Sequence, residues 1–190
     1  MRVISGQAKS KALKVVPGKG TRPIADRVKT SLFNILEQRV PGCRFLDLFA
    51  GTGGVGIEAL SRGAEQAIFV ERAFKAVRVL RENLQRTGMA EQAQVWHEDV
   101  FRFIAKIEST SLGQFDIIYV APPQYQKLWS RTLVALDAYP LLAPGGVIAV
   151  QIFPKEYETL ELKQFTLSDR RTYGSTMLCF YEHVANAGPG

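Results

Sequence analysis

The chain has 190 residues, of which 46% are hydrophobic and 22% charged, and its formal net charge is +6. This composition is typical of a soluble globular protein with one domain and a sizeable core. No apolar run approaches the ~18–20 residues of a membrane span, and the opening MRVISGQAKSK lacks the apolar core of a signal peptide. We therefore expect a cytoplasmic protein without membrane contact.

The cysteines and histidines do not predict a metal site. Cys43 and Cys179 lie beside apolar residues at strand-like positions, and their spacing is not that of metal ligands. The chain has only two histidines to complete such a site. We expect both thiols to be buried and reduced, and no metal to be bound.

The positive charge is concentrated at the start of the chain. Residues 1–31 hold eight basic residues and one acid, which makes +7, so the remaining 159 residues sum to −1. The stretches RVISG and ALKVV carry strand-like apolar residues, which favours a folded basic arm over a disordered tail. A polyanion is the natural partner of such an arm, and nucleic acid is the polyanion we expect. The candidate RNA contacts are Arg2, Lys9, Lys11, Arg22, Arg27 and Lys29.

The predicted elements begin within this arm. A strand pair is expected around 2–4 and 13–16, followed by the turn-rich PGKGTRP and a helix over about 24–38 that Pro41 and Gly42 end. Strands at 44–49, 66–70, 93–97, 115–120 and 146–152 then alternate with helices at 54–62, 73–87, 99–107 and 127–141. Two last strands, at 160–168 and 175–183, are expected to form an antiparallel pair at the sheet edge.

This alternation predicts an α/β fold with a parallel sheet covered on both faces. One domain over 43–184 follows a basic arm and helix over 1–42, and a tail occupies 185–190. Nothing in the sequence demands a dimer, so we expect a monomer.

The segment FLDLFAGTGGVGIEAL predicts a nucleotide site, because a strand leads into glycines and then into a helix. Gly51 and Gly53 permit a tight turn, and the helix start offers free N–H groups. Asp47 stands where it could hold a ligand's ammonium or hydroxyl group, and Glu71, about 20 residues after the glycines, is suited to ribose hydroxyls. The glycines also fit G-x-G-x-x-G, so a dinucleotide dehydrogenase is an alternative.

The third strand ends in WHEDVF, where we assign Asp99 to an adenine amino group and take His97 and Glu98 as surface groups. Two features favour S-adenosylmethionine over NAD. Asp47 suits a cationic amino-acid moiety that NAD lacks, and the fourth strand ends in two prolines. The candidate cofactor contacts are Asp47, Phe49, Gly51, Gly53, Glu71 and Asp99.

Several motifs together resemble the RsmD-type family of bacterial rRNA (guanine-N2)-methyltransferases. The opening RVISGQAKSKALKVVPGKGTRPIADRVKTSLFNIL, the loop DLFAGTGGVGIEALSRGA and the closing TYGSTMLCFY carry the likeness, which covers nearly all of the chain. The resemblance implies a Rossmann-like, seven-stranded class I methyltransferase sheet. It also implies S-adenosylmethionine as the methyl donor, and a guanine of rRNA in the small ribosomal subunit as the acceptor.

The chain departs from the family pattern at the catalytic motif. The family has Asp-Pro-Pro followed at once by Phe or Tyr, whereas this chain has Ala121, Pro122, Pro123, Gln124 and Tyr125. These five residues remain the candidate catalytic segment. The carbonyls of Ala121 and Pro122 and the amide of Gln124 could accept hydrogen bonds from a guanine amine, and Tyr125 could stack on the base. The alternative is a catalytically weak or silent protein that binds the donor and RNA and acts in ribosome assembly.

Overall fold

The computed structural model of the protein describes residues 1–16, 24–107, 112–139 and 141–184. The predicted turn at 17–23 and the predicted tail at 185–190 lie outside this part of the chain.

The fold is built on one seven-stranded sheet with the order β3-β2-β1-β4-β5-β7-β6. The strands are β1 (Arg44–Leu48), β2 (Gln66–Glu71), β3 (Ala93–His97), β4 (Phe115–Val120), β5 (Leu142–Ile152), β6 (Phe165–Tyr173) and β7 (Thr176–His183). The first five strands are parallel, and β7 runs antiparallel to both β5 and β6. The predicted α/β sheet with an antiparallel edge pair is confirmed.

Within the described ranges, five helices cover the two faces of the sheet: α1 (Asp26–Leu36), α2 (Gly56–Ser61), α3 (Phe74–Thr87), α4 (Val100–Lys106) and α5 (Leu128–Ala138). One core contains Phe33 of α1 and Leu80 of α3, together with the arm residues Val3 and Leu13. The core on the opposite face contains residues of α4 and α5, including Trp129. Because both faces are covered, the parallel strands read as continuous apolar runs. No helix among the described residues is long and apolar enough to cross a membrane.

Two strands start elsewhere than predicted. β5 begins at Leu142, which pairs with Phe115. The register then shifts before Ile117 pairs with Val147, so Gly145 and Gly146 lie within the strand. β6 begins only at Phe165. The N–H groups of Lys163 and Gln164 donate to the carboxylate of Asp137 in α5, so they are not available to a strand ladder there.

The predicted strand pair of the arm is wrong in its extent. It consists of the single bridge between Arg2 and Ala12. The N–H groups of Ile4 and Ser5 donate to the buried carboxylate of Glu58 in α2, at 2.8 and 2.9 Å. The arm is therefore folded, as its apolar residues predict, but it is held by a helix.

The two thiols lie where the sequence places them. Cys43 and Cys179 are buried and unpaired. Burial raises the pKa of Cys43 to about 12, with a further rise from the charge of Asp116. Burial also raises the pKa of Cys179, to about 11. Both side chains are therefore neutral at physiological pH.

Candidate active site

A cleft of about 770 Å³ opens at the carboxyl ends of the parallel strands. It lies where the strand order reverses between β1 and β4, which is where ligands bind in open α/β sheets. The predicted site residues that line it are Asp47, Phe49, Gly51, Glu71, Asp99, Ala121, Pro122, Pro123 and Gln124. Gly53 and Tyr125 are described residues that do not line it.

The glycine turn after β1 adopts backbone conformations that favour glycine. Gly51 has φ +55° and Gly53 has φ +83°. A Cβ added to Gly53 would lie 2.2 Å from Cδ1 of Leu80, so this glycine lets α3 pack against the turn. Gly53 thus shapes the loop from behind, while Gly51 and Phe49 face the cleft.

Asp47 is a buried carboxyl at the base of the cleft. Its Oδ2 accepts a hydrogen bond from the Gly56 N–H at the start of α2, at 2.9 Å. Burial raises the pKa of Asp47 to about 7, and the charge of Glu71 adds to the rise, whereas the Gly56 hydrogen bond lowers it. No basic side chain among the described residues forms an ion pair with Asp47. A cationic ligand group would offset the cost of its burial.

Glu71 holds the glycine turn against the end of β2. Its Oε2 accepts from the Gly51 N–H at 2.8 Å, and its Oε1 accepts from the Ala73 N–H at 2.7 Å. A carboxylate oxygen can accept more than one hydrogen bond, so both oxygens retain capacity for a ligand hydroxyl. Glu71 therefore orders the loop and also faces the cleft.

Asp99 lies at the end of β3 and caps α4. Its Oδ1 accepts from the N–H groups of Phe101 and Arg102, at 2.9 and 3.3 Å. Since both bonds use Oδ1, Oδ2 is the oxygen suited to a ligand amino group. The neighbouring His97 is exposed, and its ring lies beside the carbonyl of Arg72. Glu98 also lines the cleft and forms an ion pair with Lys106.

The APPQY segment follows β4 along the opposite side of the cleft. Gln124, which stands where the family has its aromatic residue, lines the cleft. Tyr125 has φ +63° and is 70% exposed. Its N–H donates to Oε1 of Glu156 at 2.6 Å, and its ring lies 5.7 Å from that of Phe153. Tyr125 therefore does not line the cleft, and its stacking on the acceptor base stays a prediction.

Sequence reasoning missed two polar residues of the cleft, Tyr119 and Gln151. The Tyr119 hydroxyl donates to Oε1 of Gln151 at 2.6 Å. Val120, the last residue of β4, pairs with Val150, so Ala121 and Gln151 follow a paired position and both line the cleft. Burial, and then the charge of Asp47, raise the pKa of Tyr119 well above its ordinary value, so its hydroxyl stays protonated. The register of β4 against β5 is the signal that could have identified Gln151.

The arm also reaches the cleft, which its charge did not predict. Met1 and Ile24 are among the lining residues. Met1 packs so closely on the glycine turn that a Cβ added to Gly54 would lie 2.5 Å from its Sδ. The arm is therefore part of the wall of the site.

The predicted RNA contacts of the arm have different surroundings. Arg2, Lys9, Lys11 and Arg27 are exposed, and Arg22 lies outside the described residues. Lys29 is 0% exposed. Its Nζ donates to the carbonyl of Arg2 at 2.6 Å and lies 3.1 Å from Oε2 of Glu58. The prediction that Lys29 contacts RNA is therefore wrong, because its ammonium is buried between α1 and α2.

No cluster of three or more His, Cys, Asp or Glu side chains within the described ranges could hold a metal ion.

Comparison with known proteins identifies relatives of the whole chain. The family model described as conserved hypothetical protein 95 matches residues 1–182. YlbH of Bacillus subtilis, provisionally named an rRNA methyltransferase, is 39% identical over 183 residues, which cover 96% of this chain and 98% of that protein. Ribosomal RNA small subunit methyltransferase D of Haemophilus influenzae is 30% identical over 184 residues, covering 96% and 94%.

A solved structure extends the likeness to the fold. A hypothetical protein of Thermus thermophilus superposes with a TM-score of 0.82 at 35% identity, covering 96% of this chain and 99% of that one. Its match and that of the family model extend from the arm to the antiparallel edge pair. The chain therefore belongs to the RsmD-type family, and its sheet is that of the class I methyltransferases.

Proposed function

We propose that this protein moves a methyl group from S-adenosylmethionine to the N2 amine of a guanine in small-subunit rRNA. One observation carries the proposal. A single cleft brings the acids at the ends of β1, β2 and β3 (Asp47, Glu71 and Asp99) opposite the APPQ segment at the end of β4. A donor and a flat acceptor base can occupy its two sides together. Guanine N2 is the acceptor that the resemblance to the RsmD-type family implies.

The residues of the first side fit the donor. Asp47 offers a buried carboxyl to the ammonium group, Glu71 offers two oxygens to the ribose hydroxyls, and Asp99 offers Oδ2 to the adenine amino group. The volume of about 770 Å³ lies in the range of small-molecule sites. When bound, S-adenosylmethionine supplies an electrophilic methyl group. An NAD molecule has no ammonium for Asp47, which disfavours an oxidoreductase.

The second side would orient the acceptor amine without an acid. The lone pair of the guanine amine is delocalised into the ring, so an enzyme must position it and accept its hydrogen bonds. Ala121 cannot act as a side-chain base, a role that is worth roughly 10²–10⁴-fold in rate. Positioning contributes on the order of 7–11 kcal/mol in favourable cases. The carbonyls of Ala121 and Pro122 and the amides of Gln124 and Gln151 are the acceptors we assign to this task.

Gln151 is the acceptor that the structure adds to this set. It lines the cleft together with Ala121, and Tyr119 fixes its amide by donating to Oε1. We expect Gln151→Ala to lower kcat about tenfold, as the loss of one hydrogen bond of about 1–1.5 kcal/mol does. The Kd for S-adenosylmethionine, measured by calorimetry, should remain unchanged, because the donor is assigned to the other side. Equal kcat in the variant would remove Gln151 from the mechanism.

The decisive experiment follows the transfer of labelled methyl from S-adenosylmethionine to small ribosomal subunits that lack the modification. Wild type is tested beside Ala121→Asp, which restores the acid of the family motif. We expect wild type to transfer one methyl group to a guanine N2. Transfer by Ala121→Asp alone would instead identify a protein that binds donor and RNA without turnover, which is the second candidate that Ala121 favours. Inactivity of both proteins would contradict the assigned substrate.

A further inference from the structure

The exposed side of α3 carries a row of basic residues that the arm does not account for. Arg72, Lys75, Arg78 and Arg81 follow one another at intervals of three residues, and Arg86 lies in the last turn. All five are exposed. We call these five residues the α3 basic row. The total charge of −1 over residues 32–190 conceals it, because acids elsewhere in the chain balance it.

Helix stability does not account for most of the α3 basic row, although Arg86 in the last turn is favourable to the helix dipole. Like charges three or four residues apart destabilise a helix. Cations before and within the first turn, here Arg72 and Lys75, oppose the helix dipole, and that turn holds no acid. No member of the row has a carboxylate within ion-pair distance among the described residues. Something outside the chain must therefore neutralise this charge if the arrangement has a purpose.

The row is continuous with the arm. The one acid of α3, Glu82, already binds Nζ of Lys14 at 2.7 Å. This hydrogen bond, the charge of Lys14, and then the charges of Arg78 and Arg86 lower the pKa of Glu82. Lys11 donates from Nζ to the carbonyl of Thr87, the last residue of α3, at 3.1 Å. Lys11 and Lys14 of the arm therefore contact α3 directly, so the arm and the row lie side by side.

The other end of the row reaches the cleft. Arg72 lines the cleft beside Glu71, and α3 begins two residues later. From Lys75 to Arg86 the helix advances by about 16 Å, at 1.5 Å per residue. The row thus forms a basic track that leads from the rim of the candidate active site to the arm.

The surface of the row indicates which partner it suits. Protein interfaces usually centre on buried aromatic or apolar anchors. Between Lys75 and Arg86 no large apolar side chain is exposed. Phe74, at the cleft end, is the exposed aromatic residue of α3, at 62%. A series of exposed cations without an apolar centre matches a phosphate backbone better than it matches an acidic protein.

We propose that the α3 basic row, together with Lys9 and Lys11, binds the phosphate backbone of the RNA that flanks the nucleotide held in the cleft. The identity of the RNA rests on the proposed function, whereas the binding surface does not. The contacts are to phosphates, so they position the RNA without reading its bases. The row thereby extends the RNA-binding surface from the arm along a second element.

The test compares Arg78→Gln/Arg81→Gln/Arg86→Gln, which leaves the cleft lining intact, with the control Arg102→Gln/Lys163→Gln/Arg171→Gln, which removes three exposed charges elsewhere. The probe is full-length small-subunit rRNA transcribed in vitro, and its Kd is measured between about 50 and 200 mM salt. We expect the row variant to lower the slope of log Kd against log salt by about 2 to 3, roughly one per lost contact. Its Kd at ~0.1 M salt should rise about tenfold or more. The control should match wild type.

A single charge reversal, Arg81→Glu, guards against a folding artefact in the triple variant. Arg81 is exposed, and no ion pair of the described chain includes it. We expect its thermal midpoint to stay within about 2 °C of wild type, as for an ordinary surface change. Its RNA Kd should rise in the same direction as that of the triple variant. Wild-type salt dependence of RNA binding in both variants would overturn the proposal. The same result is expected if the row binds an acidic protein instead of RNA.

Methyl transfer separates this proposal from the proposed function. If wild type transfers methyl and the row variant raises KM for the subunit while kcat stays within about twofold, both proposals stand. If RNA binding depends on the row but wild type transfers no methyl group, the proposed RNA-binding surface is supported and the proposed activity is refuted. If all variants transfer methyl with equal KM, the proposed activity is supported and the proposed RNA-binding surface is refuted.

Discussion

Asp47 shows how one buried residue makes a binding site depend on pH. The carboxyl titrates at about 3.8 when exposed, whereas burial raises its pKa in the folded protein to about 7. Between these values the folded protein holds a proton that the unfolded chain has released. The contribution of Asp47 to stability is therefore full below pH 4 and is lost as the pH rises through 7. A cation that binds ionised Asp47 offsets the free-energy cost of keeping this charge buried.

The affinity for S-adenosylmethionine should accordingly fall in acid. An ammonium group pairs with ionised Asp47, so binding below pH 7 must release the proton that this residue holds. We expect Kd to rise by up to about tenfold per pH unit below 7. Calorimetry from pH 5.5 to 8, in buffers of different ionisation enthalpy, measures both the affinity and the proton release. Glu71 and Tyr119 face the same carboxyl, and both are unchanged in the control variant Asp47→Asn.

The control for this prediction is Asp47→Asn. Its amide oxygen can still accept from the Gly56 N–H, so the local fold should survive. The variant should bind S-adenosylmethionine roughly 10–100-fold more weakly, as expected for the loss of a charge-assisted bond, and its Kd should no longer follow pH. An unchanged pH profile would assign the titration to another group.

Lys29 and Arg27 test whether a basic residue of α1 is structural or binds RNA. Lys29→Met removes one partner of a buried ion pair, so we expect the free energy of unfolding to fall by about 3 kcal/mol. The thermal midpoint should then fall by roughly 6–12 °C. Arg27→Met, at an exposed position on the same helix, should change stability by less than about 0.5 kcal/mol but weaken RNA binding. Thermal melts and RNA titrations of both proteins measure the difference. A stable Lys29→Met protein that loses RNA affinity would restore Lys29 to the RNA surface.

At the scale of the elements, Asn83 of α3 joins the arm to the glycine turn. Its Oδ1 accepts from the Lys14 N–H at 2.8 Å. Its Nδ2 donates to the carbonyls of Lys14 and Thr52, at 3.0 and 2.9 Å. Thr52 lines the cleft, so one buried side chain connects three separate segments.

We therefore expect Asn83→Ala to loosen the arm and the cleft together. Loss of the three bonds should cost about 2–3 kcal/mol of stability. The Lys14 amide should exchange its hydrogen faster, and the affinity for S-adenosylmethionine should fall several-fold. Hydrogen exchange and calorimetry measure the two effects, with exposed Gln85→Ala on the same helix as the control. Faster exchange with unchanged cofactor affinity would show that the glycine turn does not depend on the arm.

The sequence predicts elements well where the pattern is local. All five parallel strands and their helices appear near their expected places, because buried strands read as apolar runs and amphipathic helices as stripes. The positions of Asp47, Glu71 and Asp99 were also predictable, since the ends of parallel strands meet at one edge of a sheet. Gln151 was not, because its place in the cleft depends on the register between two strands. The burial of Lys29 depends likewise on a partner in another helix.

At the scale of the whole molecule, the arm is part of the fold and not an appendage. Val3 and Leu13 belong to the same core as α1 and α3, and Met1 lines the cleft. Charge alone indicated a surface arm, because a sum over residues does not record which side chains point inward. The same limit hid the α3 basic row, whose charges cancel against distant acids.

Removal of residues 1–8 should therefore damage folding before it damages RNA binding. Glu58 would lose the N–H donors of Ile4 and Ser5, and the core would lose Val3. We expect a thermal midpoint lower by several degrees and a tendency to aggregate, measured by calorimetry and light scattering. Lys9→Gln, which removes the charge of one exposed residue of the arm, should melt like wild type. A truncated protein as stable as wild type would show that the arm is separable.

The packing of Trp129 gives the protein an internal optical reporter. Trp129 lies in the first turn of α5, four residues after Tyr125, and its ring stacks at 6.2 Å on that of Tyr157. The other tryptophan, Trp96, lies at the end of β3 beside Lys106. In a Trp96→Phe protein, the tryptophan fluorescence would come from a single buried indole near the candidate catalytic segment. Stopped-flow mixing with RNA could then follow any change in the surroundings of Trp129 without an attached dye.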